Sequence, residues 1–133
     1  MSENLDLVRS IYADWERGDF GSAEWADPDI EFSIAGYVDD RTWTGLDGMA
    51  AGGRYFLAPW EDFRVEAEEF RELDDERVLV LDNQKGRGKT SRVELGRFRG
   101  KGATLWQIRD GMVTRLALYP TRDRALADLG LKE

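Results

Sequence analysis

The chain of 133 residues contains no cysteine and no histidine. Without cysteine it has no thiolate nucleophile, redox pair, zinc ribbon or iron–sulfur ligand set. Without histidine it cannot build a Ser-His-Asp relay or an imidazole metal site, and it lacks the usual proton switch near neutral pH. Acid–base chemistry must therefore fall to Asp, Glu, Tyr or Lys, with Arg as an electrostatic clamp. We expect neither a metal site nor a cofactor.

Excess basic charge and long apolar runs are also lacking. Nineteen Lys and Arg stand against 27 Asp and Glu, for a net charge of −8, whereas nucleic-acid binding needs a basic surface. No apolar stretch approaches the ~20 residues that span a bilayer, and polar residues rather than a secretory leader follow Met1. We therefore expect a cytoplasmic protein that binds neither nucleic acid nor membrane, with a single domain over 1–133.

Helical periodicity is strongest where apolar side chains recur at three- and four-residue steps. Glycine follows the first and last of these segments, at Gly18 and Gly130, where a left-handed residue is typical of a helix end. Thr44 with Asp47, and Thr121, are typical of helix N-termini. The predicted helices cover 5–15, 20–25, 44–58 and 121–129.

Strand patterns occupy most of the remaining chain. The pair Glu69-Phe70 interrupts an alternation that begins at Phe63, as a bulge does, and Asp110-Gly111 is typical of a two-residue hairpin turn. The stretches 36–43 and 85–89 are predicted to be a loop and a glycine-rich turn or strand end. The predicted strands cover 30–34, 63–70, 77–81, 93–98, 103–108 and 113–119. Helices gathered early and a meander of strands after them indicate the α+β class.

Short motifs in this order resemble those of the nuclear transport factor 2-like superfamily, and in particular its SnoaL-like branch. They are Arg17-Gly18-Asp19, Asp27-Pro28-Asp29 and Arg109-Asp110-Gly111, together with the tail segments 115–119, 123–126 and 130–131. The resemblance implies a conical fold, in which a curved antiparallel sheet wraps around the N-terminal helices and leaves an apolar pocket. It also implies a homodimer formed through the outer face of the sheet.

The resemblance carries over few of the superfamily's catalytic positions. In ketosteroid isomerase-like members a helical Tyr and a strand Asp donate hydrogen bonds to an oxyanion, while a second Asp is the base. These positions fall on Ile11, Thr104 and Ser33 here, with Tyr12 one position from the first. Ala117 stands where the SnoaL-like branch commonly has Glu. Steroid isomerisation is therefore not expected.

Polar residues inside apolar strands are the remaining catalytic candidates. Asp82 and Gln84 follow Val78 and Val80 at period two, so they point either into the pocket or onto a solvated or dimeric face. Burial would raise the pKa of Asp82 and make it a general acid or base. We predict three catalytic residues: Tyr12, Asp82 and Tyr119.

Aromatic side chains are abundant, with five Trp among them. They either line or cover a pocket for a flat or apolar ligand, or belong to the core or a dimer interface. The predicted ligand-binding residues are Trp15, Tyr37, Trp43, Tyr55, Trp60 and Trp106.

Two functions follow as hypotheses. In the first, a SnoaL-like protein binds an apolar cyclic or aromatic metabolite, and any catalysis is that of a cofactor-independent isomerase, cyclase, dehydratase or hydrolase. In the second, the same fold is a non-catalytic ligand-binding or dimeric interaction module.

Overall fold

The computed structural model describes residues 3–19, 24–35, 40–58, 60–88 and 97–131, with the backbone alone at 60–62, 87–88 and 97–100. In chain order, the elements are α1 (Glu3–Glu16), β1 (Ala26–Ile34), β2 (Arg41–Thr44), α2 (Gly45–Leu57), β3 (Trp60–Glu72), β4 (Arg77–Gly88), β5 (Arg97–Arg109), β6 (Met112–Tyr119) and α3 (Arg122–Leu129). The predicted α+β class is confirmed.

The six strands form one curved, open sheet in the order β2-β1-β6-β5-β4-β3. Strands β3 to β6 are a simple antiparallel meander, whereas β1 lies parallel to β6. The predicted antiparallel sheet is thus correct except at this one pair. Because β1 comes from the N-terminal half of the chain, its pairing with β6 joins the strands of the two halves into one sheet.

Both faces of the central strands are covered. On the inner face, Val78 and Val80 of β4 belong to the same core as Val8 and Ile11 of α1. On the outer face, a second core joins Leu79 and other strand residues to Ala125 and Leu126 of α3. Both faces of β4 are thus buried at 78–81, which explains why its sequence there is an unbroken apolar run with no polar alternation.

Glycine residues and the Asp110-Gly111 turn mark several of the predicted element boundaries. Asp110 and Gly111 have φ of 54° and 76°, as the predicted two-residue hairpin turn requires, and Gly18 and Gly130 have φ of 84° and 68° at helix ends. The register of β3 against β4 shifts between Ala67 and Glu69, which confirms a bulge beside the predicted position. Neither Thr44 nor Thr121 makes the predicted side-chain capping bond, although helices begin directly after both.

Several predicted boundaries are wrong because strand pairing overrides local sequence. Residues 41–43, predicted as part of a loop, form β2 together with Thr44 and pair with β1; a strand of four residues is too short to show a period. The glycine-rich segment 85–88, for which a turn or a strand end was predicted, is the end of β4, which pairs there with β3 and β5. Residues 97–109 form one strand through Gly100 and Gly102.

In the N-terminal half, the predicted Asp27-Pro28-Asp29 turn lies inside β1, and Trp25 lies in a turn before β1 rather than in a helix. Predicted structure at 20–23, 36–39, 89–90 and 93–96 lies outside the described residues.

Helix α2 approaches the sheet most closely at Gly52 among its described glycines. A Cβ built at Gly52 lies 2.5 Å from Phe32 of β1 and 2.7 Å from Trp43 of β2, whose rings are 5.8 Å apart between centroids. A Cβ at the next residue, Gly53, meets nothing within 4 Å. Gly52 is therefore required for packing, whereas Gly53 has no steric requirement of its own.

We predict opposite effects for alanine at these two positions. Gly52→Ala should lower the free energy of unfolding by about 1–3 kcal/mol, because two packed rings must move. Gly53→Ala should raise it by about 0.5–1 kcal/mol, because alanine is the better helix former. Urea unfolding of both variants measures this, and equal effects at the two positions would contradict the packing described.

Candidate functional site

A pocket of about 680 Å³ lies between α2 and the inner face of the sheet. Its walls are mainly aliphatic and aromatic, and four lining residues have charged, amide or hydroxyl side chains: Arg54, Asp82, Gln84 and Thr104. The other lining residues are Trp15, Trp25, Phe32, Met49, Ala50, Gly53, Phe56, Leu57, Ala58, Phe63, Val65, Leu116 and Leu118. An apolar cavity with a few convergent polar groups is the usual form of a small-molecule site.

Strand β4 brings its polar residues to the pocket by simple alternation. Asp82 and Gln84 continue the inner stripe of Val78 and Val80, so their side chains share the face that α1 and α2 cover. Asp82 is fully buried and Gln84 is 6% exposed. Of the two faces that the sequence allows for these residues, they therefore occupy the one that faces the pocket, not a solvated or dimeric face.

Three donors from three elements hold the Asp82 carboxylate. Tyr12 Oη of α1 and Thr104 Oγ1 of β5 donate to Asp82 Oδ2 at 3.3 and 3.0 Å, and Gln84 Nε2 donates to Oδ1 at 3.1 Å. Burial raises the pKa of Asp82 to about 6, while the hydrogen bonds from Gln84, Thr104 and Tyr12 and the charge of Arg122 oppose the rise. The carboxyl group therefore titrates close to neutral pH.

Tyr12 acts as a donor rather than as an acid. Burial, followed by the negative charge of Asp82, raises the pKa of Tyr12 well above its ordinary value. The indole N–H of Trp106 makes no regular hydrogen bond with the described residues, although it is close enough to the Tyr12 hydroxyl to oppose that rise in pKa. Tyr12 therefore remains protonated and serves Asp82 as a fixed hydrogen-bond donor.

Gly102 of β5 makes room for Gln84. A Cβ at this position would overlap the amide group of Gln84 and lie 2.7 Å from the carbonyl oxygen of Tyr119. Since Asp82 pairs with Gly102 across the β4–β5 ladder, the glycine lies directly beside the carboxylate's strand position. Its missing side chain lets Gln84 lie against Asp82.

Arg122 supports the same two strands from the outer face. Its Nη2 donates to the carbonyl oxygen of Asp82 at 3.1 Å and its Nε to that of Gly102 at 3.4 Å. Its Nη1 donates to Glu68 Oε1 at 2.9 Å, and Glu68 is the extra residue of the β3 bulge. Only 8% of Arg122 is exposed. The first residue of α3 is thus tied to the backbone beneath the site.

Of the predicted catalytic residues, the structure brings together Tyr12 and Asp82 but not Tyr119. Leu116 and Leu118 occupy the inner face of β6, so Tyr119 points to the outer face and packs in the α3 core. The structure thus separates Tyr119 from the pocket by the thickness of the sheet, and alternation along β6 is the physical reason.

The predicted ligand-binding aromatics divide in the same way. Trp15 lines the pocket, and Trp106 packs behind it with ring centroids 5.3 Å apart. Trp43 and Tyr55 pack against each other at a tilt, with ring centroids 5.5 Å apart, and do not line the pocket, because the formation of β2 places Trp43 against Phe32. Tyr37 and the side chain of Trp60 lie outside the described residues.

Sequence reasoning missed several residues of the site. Thr104 was visible only as the position where related proteins have a donor Asp. Trp25 was predicted to end a helix, and Arg54 and Gly102 were assigned no role. Nothing in the sequence distinguishes Arg122 from the exposed arginines of a helix start, since its burial depends on the distant bulge at Glu68.

Other kinds of site are absent from the described part of the chain. No group of three or more metal-binding side chains occurs among those residues. No described helix is long and apolar enough to cross a membrane.

No protein-family model and no curated protein matches the sequence. Among solved structures, an NTF2-like protein of unknown function from Burkholderia pseudomallei is 22% identical, with 96% of this chain and 97% of that chain covered and a TM-score of 0.76. A putative SnoaL-like polyketide cyclase from Jannaschia is 12% identical, with coverage of 98% and 94% and a TM-score of 0.73. TerC, co-crystallised with polyporic acid, is 22% identical, with coverage of 96% and 98% and a TM-score of 0.71. The chain therefore has the nuclear transport factor 2-like fold, as its sequence motifs predicted.

We predict that Asp82→Asn gains stability relative to the parent as the pH rises from about 4 to neutral. Because the folded protein binds this proton more tightly than the unfolded chain does, stability falls as pH rises from about 4 to about 6, and the full penalty persists above. Asparagine is neutral at every pH, so the variant does not pay this penalty. The free energy of unfolding of Asp82→Asn, measured relative to that of the parent, should therefore rise by roughly 2–3 kcal/mol between pH 4 and pH 8.

Urea unfolding at several pH values measures this difference. Glu66→Gln is the matched control, because it removes one negative charge from an exposed position on the neighbouring strand β3. Parallel pH dependence for the parent and Asp82→Asn would show that Asp82 does not titrate as described.

Proposed function

We propose that this protein binds an apolar small molecule in the pocket and that Asp82 exchanges a proton with it. The observation that carries the proposal is a fully buried carboxyl group with a pKa of about 6 at the wall of an apolar cavity. General bases are most effective when their pKa lies near the working pH, and Asp82 is mostly ionised at pH 7. Perturbed titratable groups in clefts are typical of catalytic sites.

The surrounding donors suit a base that must hold its position. Tyr12, Thr104 and Gln84 fix both carboxylate oxygens without supplying a competing base. In the reaction we propose, Asp82 removes a proton from one atom of the ligand and returns it to another. The ligand's bonding rearranges, no electrons are gained or lost, and the carboxylate is regenerated. This is the chemistry of an isomerase or of an intramolecular cyclase.

The solved neighbours support the proposal in a general way. One is named as a putative SnoaL-like polyketide cyclase, and another was co-crystallised with polyporic acid. Both names refer to small organic molecules, and the pocket of this chain has a volume in the range of small-molecule sites.

A second function, binding without catalysis, is favoured by the completeness of the hydrogen bonding at Asp82. Three donors already occupy the carboxylate, and none of its surface is exposed. A carrier or sensor of an apolar metabolite would keep the same pocket. The two functions differ in whether a bound molecule is converted.

A ligand screen separates the two functions. Steroids, aromatic polyketides, terpenoids and their epoxides would be tested for thermal stabilisation, and each hit for product. A ligand at ~100 times its dissociation constant adds about 2.7 kcal/mol of stability, which is readily measured in a domain of this size. Hits that stay intact would favour the carrier.

For a converted hit, we predict that Asp82→Asn lowers kcat/KM by about 10²–10⁴-fold. The parent's kcat/KM should fall as pH drops through about 6, because the base becomes protonated. Tyr12→Phe should retain activity and move this profile to higher pH, because it removes a hydrogen bond that stabilises the carboxylate. Glu66→Gln is the control, and an unchanged rate in Asp82→Asn would reject Asp82 as the base.

A further inference from the structure

Arg54 is the one cationic side chain among the described lining residues of the pocket. It is in the last turn of α2 and is exposed, so it lies where the pocket opens to solvent. Its guanidinium group makes no hydrogen bond or ion pair with any described residue. Most other described arginines, such as Arg115 and Arg122, pair with a carboxylate. Within the described part of the chain, Arg54 therefore has no carboxylate partner and presents its guanidinium group at the rim.

The rim beside Arg54 is open. Gly53 also lines the pocket, and a Cβ at this position would meet no atom within 4 Å. Glycine in a helix interior costs about 1 kcal/mol relative to alanine, and no packing contact explains it here. The absent side chain leaves space for a ligand next to the guanidinium group.

Charge disfavours a ligand orientation in which the anionic group lies against Asp82 instead of Arg54. Asp82 is the one acidic residue among the described lining residues, and it lies on the sheet wall, where no described cationic side chain faces the cavity. Bringing an anion to this buried carboxylate would place two like charges in an apolar medium. An anionic group is therefore accommodated at the rim, while the uncharged body of the ligand reaches Asp82.

We infer that the ligand is an organic anion with an apolar body, whose carboxylate, sulfonate or ionised enol group binds Arg54. This inference rests on the proposed function, since it concerns the ligand of the same pocket. Arg54 is then a specificity-determining residue rather than a catalytic one. The alternative is structural: a guanidinium group near the C-terminus of α2 stabilises the helix dipole.

A matched pair of fluorescent probes tests the inference without knowledge of the natural ligand. Anilinonaphthalene sulfonate and phenylnaphthylamine share an aromatic skeleton and differ in the anionic sulfonate group. We expect Arg54→Gln to weaken sulfonate-probe binding about 2- to 5-fold, as the loss of an exposed ion pair predicts, and to change neutral-probe binding less than about 1.5-fold. Arg54→Lys should retain most of the sulfonate affinity.

Two control variants make each outcome decisive. Gly53→Phe should place a ring in the opening of the pocket, where a Cβ meets no atom within 4 Å, and weaken the binding of both probes. Arg109→Gln removes the same charge from an exposed position outside the pocket and should affect neither probe.

If both probes bind the parent, bind Gly53→Phe more weakly and are equally insensitive to Arg54→Gln, the role of Arg54 is overturned while the pocket proposal stands. A change in stability alone in Arg54→Gln would assign this residue to the helix dipole and overturn the inference likewise. If Gly53→Phe leaves the affinity of both probes unchanged, or if neither probe binds the parent, the pocket proposal fails and the inference fails with it.

Discussion

The burial of one carboxylate is the constraint to which the rest of the structure responds. Moving Asp82 out of water disfavours its charged form, and the fold offsets this cost with three hydrogen bonds. Because Tyr12 comes from α1 and Thr104 from β5, the helix and two strands must meet at one place. The position of α1 on the sheet is thus fixed by a polar requirement as well as by apolar packing. Loss of one donor leaves a buried charge less compensated.

The support for this carboxylate extends through the sheet to a helix that never reaches the pocket. Arg122 binds the carbonyl oxygens of Asp82 and Gly102, and the bulge in β3 directs Glu68 to the other side of its guanidinium group. The charge of Arg122 also lowers the pKa of Asp82 across the sheet. Helix α3 therefore contributes to the electrostatics of the site while it covers the outer core.

Sequence reasoning succeeded where a single periodicity controls the outcome. Alternation from Val78 made the inner face one of two choices for Asp82, and the positive φ of Asp110 and Gly111 follows from their residue types. It failed where contacts between distant segments decide. Residue type makes Tyr119 a catalytic candidate but does not determine which face of β6 it occupies, and β2 forms from four residues whose partners lie in β1. The position of α2 on the sheet decides which residues line the pocket, and no local sequence pattern determines that position.

The cost of the site argues for a function at this place. An uncharged side chain at position 82 would avoid the desolvation that raises the pKa of Asp82, and no described acceptor makes a regular hydrogen bond with the buried N–H of Trp106. Both unfavourable features adjoin Tyr12, beside the pocket, while the outer core under α3 is built mainly of apolar side chains. Natural sequences accept such local conflicts mainly where activity requires them. Their concentration around Tyr12 therefore supports the pocket, rather than the outer sheet face, as the part of the molecule on which selection for function acts.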